Sequence, residues 1–206
     1  FQCNLLLEGF YTRLNHVFVL EEIGKDEEHN AVIKERRNGQ GAEVAGVTVE
    51  GKVAYLSLVQ LQAGVTWQKS HYTRPEKWSK DSSVPAEKRI FRTPDWYGYF
   101  TATYSPVKPL NIALSGTYTG SMIVQHMKGY IPKDIAVTTP DFFYMNLKIS
   151  YDFSLYKFIT LQLNAGIQNI FNAYQRDFDQ GKERDSGYIY GPSMPRSYFA
   201  GAKLMF

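Results

Sequence analysis

Residues 196–206 read RSYFAGAKLMF and alternate without a break. Tyr198, Ala200, Ala202, Leu204 and Phe206 fall on one face. Ser197, Phe199, Gly201, Lys203 and Met205 fall on the other. Side chains of an extended strand point alternately to its two sides, so a period of two with the charge on one side reads as a two-faced strand.

Working back from this stretch, seven more segments carry alternation. The cleanest is residues 142–153, where Phe143, Met145, Leu147, Ile149, Tyr151 and Phe153 oppose Tyr144, Asn146, Lys148, Ser150 and Asp152. Residues 158–171, 110–119, 93–104, 59–68 and 44–55 behave alike, and residues 4–14 do so least well, because Leu6 and Phe10 fall in the polar phase. The spacing therefore predicts eight strands. Their connections run long, short, long, short, long, short, long. The short ones are residues 56–58, SPVKP (105–109) and SLYK (154–157). The long ones are charged or polar: 15–43, 69–92, 120–141 and 172–195. Tight turns at one end of the strands and long loops at the other is the arrangement of an up-and-down outer-membrane β-barrel.

The strand charges say which face meets what. Glu8, Glu50, Lys52, Lys148, Asp152 and Lys203 all lie in the polar phase. A Lys or Arg facing lipid at mid-depth costs about 2–4 kcal/mol, so the charged phase is expected to face the lumen. The other phase is aliphatic at mid-strand and aromatic at both ends. Trp67, Trp96, Tyr118 and Phe143 lie toward the long loops; Tyr55, Tyr104, Phe153 and Phe206 lie toward the short turns. These are expected to be the two interfacial girdles. A water-soluble sandwich or lipocalin-like barrel would instead bury this face. Its outer strand surface would then be mostly uncharged Gln, Asn, Ser and Thr, where soluble surfaces carry more Lys and Glu.

Composition agrees. Hydrophobic residues make up only 44% of the 206, and no run approaches the roughly 18–20 apolar residues of a membrane helix. A barrel strand needs only alternate apolar residues over about 9–11 positions. The net charge of +3 is too weak to imply a nucleic-acid partner. The single cysteine, Cys3, excludes an internal disulfide framework and a cysteine-built zinc site. The chain opens FQCNLLLEGFYTRL, already strand-like, and is expected to be the C-terminal piece of a larger protein.

No enzyme constellation is present. His16, His29, His71 and His126 fall in loops or at strand ends, and no G-x-S-x-G or H-E-x-x-H pattern accompanies them. The acidic run Asp26–His29 could hold a cation but reads first as a solvated loop, and RDFDQGKERD (176–185) lacks the spacing of an EF-hand calcium loop, so no metal and no cofactor is expected. The ligand-binding candidates are loop side chains. Tyr72, Trp78, Tyr130, Tyr188 and Tyr190 offer stacking surfaces, and Arg176 and Arg184 offer partners for anionic groups. Loop aromatics also pack loops together, and that reading stands beside the first.

Four stretches carry a family resemblance: EGFYTRLNHVF (8–18), AEVAGVTVEG (42–51), NAGIQNIFNAYQ (164–175) and YGPSMPRSYFAGAKLMF (190–206). Together they resemble the C-terminal part of a TonB-dependent outer-membrane receptor. The resemblance implies an all-β, antiparallel transmembrane barrel segment, with residues 1–206 as the last eight of 22 strands and the N-terminal plug outside this chain. It implies a bacterial outer-membrane location and transport of a scarce nutrient: a ferric siderophore, haem, cobalamin or a glycan. The implied partners are outer-membrane lipid, the TonB complex through the plug, the barrel insertion machinery through the C-terminal strand, and a small-molecule or metal-chelate ligand. The contrasting expectation is a small closed eight-stranded barrel with a structural or adhesive role.

Overall fold

The computed structural model describes residues 1–29 and 31–206. Eight long strands form one antiparallel sheet: β1 (Gln2–Leu14), β4 (Ala42–Tyr55), β5 (Val59–Glu76), β7 (Trp96–Val107), β8 (Leu110–Thr119), β11 (Phe142–Tyr156), β12 (Ile159–Gln168) and β13 (Ser197–Met205). They pair in that order, each with its neighbour along the chain. β1 and β13 do not pair with each other, so the sheet is open at both edges.

Register explains how alternation in single strands becomes two surfaces. Leu114 lies opposite Leu147, which lies opposite Ile167, which lies opposite Tyr198. Val49 lies opposite Val65, and Leu61 opposite Ala102. A slip of one residue would turn a strand inside out, so the match of apolar to apolar across every ladder fixes the pairing. The opposite face is mostly polar. Thr48 hydrogen-bonds Thr66 at 2.9 Å. Gln62 donates to Glu50 at 3.0 Å, and the Tyr99 hydroxyl donates to the same carboxylate at 2.7 Å. Gln162 donates to Asp152 at 2.7 Å and lies opposite Lys203.

Phe10 and Phe199 lie on this polar face because glycine makes room for them. A Cβ on Gly46 would come within 2.5 Å of the Phe10 ring, and one on Gly166 within 2.5 Å of the Phe199 ring. Each aromatic covers the bare backbone of the neighbouring strand.

The apolar face ends at charged groups on the loop side. Trp67 and Trp96 are register partners with ring centroids 6.4 Å apart, and just beyond them Lys69 pairs with Asp95. Glu43 likewise meets Arg13 and His71, each at 3.6 Å.

The structure corrects several expected boundaries. Residues 15–43 are not a featureless charged loop. They hold a hairpin of β2 (Phe18–Asp26) and β3 (Ala31–Asn38); Asn30 lies outside the described residues. It was hidden because FVLEEIGKD and AVIKERRN carry charges in both phases. Its base is fixed by Glu76, buried at the end of β5, which accepts from Arg37 at 3.2 Å and from the Gln40 N–H at 2.8 Å. The loop after β8 holds a second small hairpin, β9 (Ile123–His126) and β10 (Ile135–Thr138). A three-residue strand, β6 (Glu87–Arg89), joins the same sheet by pairing with the far end of β5. The SLYK turn is mostly strand, since β11 runs to Tyr156, and β7 runs into SPVKP as far as Val107. The expected strand 158–171 stops at Gln168, for a reason given below.

Candidate functional site

The most buried side chains sit at the loop end, where Met122, Val124 and Tyr188 form a core joined by Val137 and Tyr190. The sheet positions it through the sequence NIFNAYQ (169–175). Asn169 and Asn172 both adopt φ of +54°. Asparagine tolerates this left-handed region because its short amide bonds locally. Two such residues end the strand despite the apolar Ile170 and Phe171. Asn169 is fully buried; its amide donates to the Ala173 and Met194 carbonyls at 3.1 and 2.9 Å and accepts from the Ala173 N–H at 2.8 Å. Gln175, also buried, donates to the Tyr188 carbonyl and accepts from the Tyr190 N–H. The start and end of the 169–196 loop are thereby tied together.

Carboxylates then link this loop to its neighbours. The His126 ring stacks on Tyr188 with centroids 3.7 Å apart and planes at 8°. Its Nε2 lies 2.9 and 3.1 Å from the two oxygens of Asp179. Asp185 accepts from the Met127 N–H at 2.8 Å. Asp134 accepts from the Ser79 hydroxyl and from the Lys128 N–H. Arg92, from the loop after β5, donates to the Gly187 and Ile189 carbonyls. Three long loops are thus built into one assembly.

Asp177 holds two tyrosines. Tyr190 donates to its Oδ1 at 2.7 Å and Tyr188 to its Oδ2 at 2.9 Å. Burial pushes the Tyr188 hydroxyl up to about 12, helped by its bond to the Asp177 carboxylate and by that charge. Tyr190 moves in the same direction for the same reasons. Burial raises the Asp177 carboxyl, but the hydroxyl bonds outweigh it and hold the group below its ordinary value.

Under this loop, at the rim of the polar face, lies a concavity of about 330 Å³ lined by Thr117, Thr119, Phe142, Tyr144, Tyr190, Gly191 and Pro192. Thr119 lies opposite Phe142 and Thr117 opposite Tyr144, so the floor is two rungs of the β8–β11 ladder. The roof is Tyr190–Pro192; the Tyr190 ring packs on Phe142 at 6.0 Å.

The residues expected to bind ligand are scattered among these features. Tyr190 lines the concavity. Tyr188 is only 4% exposed and works as the buried stacking partner of His126. Trp78 packs edge-on against Phe91 at 5.3 Å and donates to the Pro85 carbonyl. Tyr72 is half-buried beside Ala42. Tyr130 is 56% exposed. Arg176 lies over the Tyr174 ring at 5.1 Å, and Arg184 donates to the Gly181 carbonyl. The two arginines lie outside the concavity. Sequence reasoning missed Phe142, Tyr144, Thr117, Thr119 and Asp177. An aromatic in the lumen phase at a strand end, as Tyr144 is, was the available signal. Among the described residues no group of three His, Cys, Asp or Glu converges as a metal-ligand set.

The sequence model described as TonB dependent receptor-like, beta-barrel, matches residues 4–170. Among solved structures the chain is similar to the ferric-catecholate import receptor Fiu of E. coli K12, at 21% identity and a TM-score of 0.59, covering 98% of this chain and 25% of that one. It is similar to the ferripyoverdine receptor of the Pseudomonas aeruginosa outer membrane, at 15% identity and a TM-score of 0.63, covering 98% and 25%. A third, the siderophore receptor PirA of Acinetobacter baumannii, gives 16% identity and a TM-score of 0.61, covering 99% and 30%. These likenesses are of fold, and the chain spans between a quarter and a third of each. No curated protein sequence matches the chain.

Proposed function

The chain belongs to the TonB-dependent receptor β-barrel family, and we propose that it forms eight strands and four outer loops of a receptor that imports an iron chelate. Members of the family are transporters of the bacterial outer membrane and not enzymes. In this reading the polar sheet face lines the lumen and the apolar face meets lipid. The aromatics Trp67, Trp96, Tyr118 and Phe143 form the outer girdle, and Tyr55, Tyr104, Phe153 and Phe206 the inner one. A plug elsewhere in the parent protein engages the TonB complex.

The observation that carries the proposal is the aromatic concavity, which opens from the polar face where three outer loops are tied together. A ligand arriving from outside would meet it before entering the lumen. An iron chelate is the preferred cargo because the fold relatives above are receptors for ferric catecholate, ferripyoverdine and a siderophore. The contrasting small closed barrel needs β1 to pair with β13, and they do not.

The test is uptake. A strain lacking the parent receptor is supplied under iron limitation with a panel of radiolabelled ferric siderophores. The proposal expects saturable uptake of at least one, restored by the intact gene and abolished by a protonophore or by loss of TonB. Uptake of cobalamin or glycan in place of every iron chelate would contradict the cargo, and uptake independent of TonB would contradict the mechanism.

A further inference from the structure

We propose that the apolar face of the sheet carries a groove that seats one acyl chain of an outer-leaflet lipid. The proposal rests on the reading that this face meets lipid. The groove holds about 540 Å³ and crosses the sheet from β1 to β11. Its floor is Gly51, Ala63 and Gly98, on the adjacent strands β4, β5 and β7. Gly51 lies opposite Ala63, and Gly98 lies opposite Val65. The floor therefore runs across two strand spacings, about 10 Å. A Cβ on Gly51 would meet nothing within 4 Å, so the floor there faces open space. A Cβ on Gly98 would sit 2.7 Å from the Gly64 carbonyl oxygen, which keeps that position bare. Phe100 makes one wall. Its ring leans over Gly116, where a Cβ would come within 2.2 Å, and stacks on Phe143 at 6.3 Å.

Depth, chemistry and shape select the occupant. Gly51 is four residues from Tyr55 and four from Val47, the register partner of Trp67. Phe100 is likewise four residues from Trp96 and four from Tyr104. The groove thus lies midway between the two aromatic girdles, about 10 Å in height from each once the strand tilt is allowed for. A water-borne ligand does not reach that depth. The lining is aliphatic and aromatic, with the Tyr118 hydroxyl at its outer rim, so a headgroup would find no partners there and a hydrocarbon chain needs none. The outer wall is Val49, Val65 and Tyr118. Gly98 stands between Val65 and Tyr118 and pairs with both, so the wall is notched at that point. The notch lies just below Trp96 and its partner Trp67. A chain from the outer leaflet passes the tryptophans, enters over Gly98 and lies along Ala63 to Gly51. A second barrel fits less well. Two convex walls touch along a line, and a short side chain would reach the notch but not the floor behind it. Hydrocarbon is as apolar as the groove, so the gain on entry comes from packing: a flexible chain restores contacts that a void would deny the lining atoms.

The test uses the parent receptor in phosphatidylcholine vesicles doped with phosphatidylcholine that carries a diazirine at the middle or at the end of one acyl chain. After photolysis, peptide mass spectrometry maps the labelled residues. Labelling of residues 49–53, 61–65 and 98–100 should exceed that of Leu147 and Ile149, on the same face outside the groove, by about fivefold. The mid-chain probe should favour residues 98–100 and the chain-end probe residues 49–53. Gly51→Leu and Ala63→Phe fill the floor and should remove the surplus, whereas Ile149→Phe should leave it unchanged. Gly51→Leu enters open space, so it reports if Ala63→Phe does not fold, and heat-modifiable migration checks both. A surplus that survives both variants overturns the proposal, and so does the reverse order of the two probes. Labelling weaker in the groove than at Leu147 also overturns it, as a second copy seated there would give. Even labelling of the apolar face sinks the groove and leaves that face in lipid. Labelling of Asn146 and Ser150 in place of Leu147 and Ile149 sinks the reading of the faces, and the groove with it.

Discussion

Asn169→Ala should release the outer loop while leaving the barrel wall intact. The substitution removes three side-chain hydrogen bonds within a fully buried knot. The Ala173 N–H loses its acceptor, which costs about 1–3 kcal/mol for a buried donor. The two bonds to carbonyls contribute about 1 kcal/mol each. Alanine held at φ of +54° adds about 1 kcal/mol of backbone strain. The total is about 4–6 kcal/mol of local stability, a factor of roughly 10³–10⁴ in loop opening. Hydrogen exchange of the parent receptor in detergent reads this directly. Peptides from residues 169–196 should exchange faster by that factor, or up to the limit set by full exposure. Peptides from β11 and β12 should be unchanged, because the ladder between them contains no Asn169 side-chain bond. Asn169→Gly, free of the strain, should recover about fivefold. Less than tenfold acceleration in the loop would refute the knot, and equal acceleration in β11 would show that Asn169 stabilises the sheet instead.

Leu147→Arg should cost about 2–4 kcal/mol of folded protein in membranes, whereas Thr101→Arg on the polar face should cost under about 1 kcal/mol; heat-modifiable migration after assembly measures both. Single cysteines at Ser82 and Ser186, exposed in the long loops, should react with an impermeant maleimide on intact cells. Cysteines at Lys108 and Lys157, in the tight turns, should react only after the outer membrane is broken. The loop assembly should be pH-sensitive at both extremes. Tyr188 is raised from 10.0 to about 12, so its contribution is complete below pH 10 and is lost as pH rises toward 12. Asp177 is lowered from 3.8, so its contribution is present above pH 3.8 and is lost as pH falls through the lower folded value. Protection of residues 175–191 relative to intrinsic amide exchange should therefore be greatest between these limits, and Tyr188→Phe should weaken the alkaline loss.

The wall was legible in the sequence because each strand carries its two faces within itself. Period-two alternation from Phe143 to Phe153 needs no knowledge of neighbours, and register follows once apolar must meet apolar. Phe10 broke the pattern because its partner, Gly46, is a glycine on the adjacent strand, a relation invisible within one segment. The hairpin of Phe18–Asp26 and Ala31–Asn38 was hidden by charge in both phases, as befits strands with solvent on each side. The site was legible only in part. Loop tyrosines could be named, but Tyr188 and Tyr190 differ in role through one carboxylate and one histidine. His126 lies 53 positions from Asp179, and no local pattern encodes that contact. The NIFN sequence looked like the end of a strand because Ile170 and Phe171 are apolar, whereas the two asparagines set the backbone.

The central claim is that the apolar face of this sheet meets lipid and the polar face meets the lumen. Spin labels placed singly at each residue from Met145 to Asp152, in the parent receptor in bilayers, test it most directly. Labels at Met145, Leu147, Ile149 and Tyr151 should collide freely with dissolved oxygen. Labels at Asn146, Lys148, Ser150 and Asp152 should not. Accessibility without a period of two, or with oxygen favouring the even positions, would contradict the account.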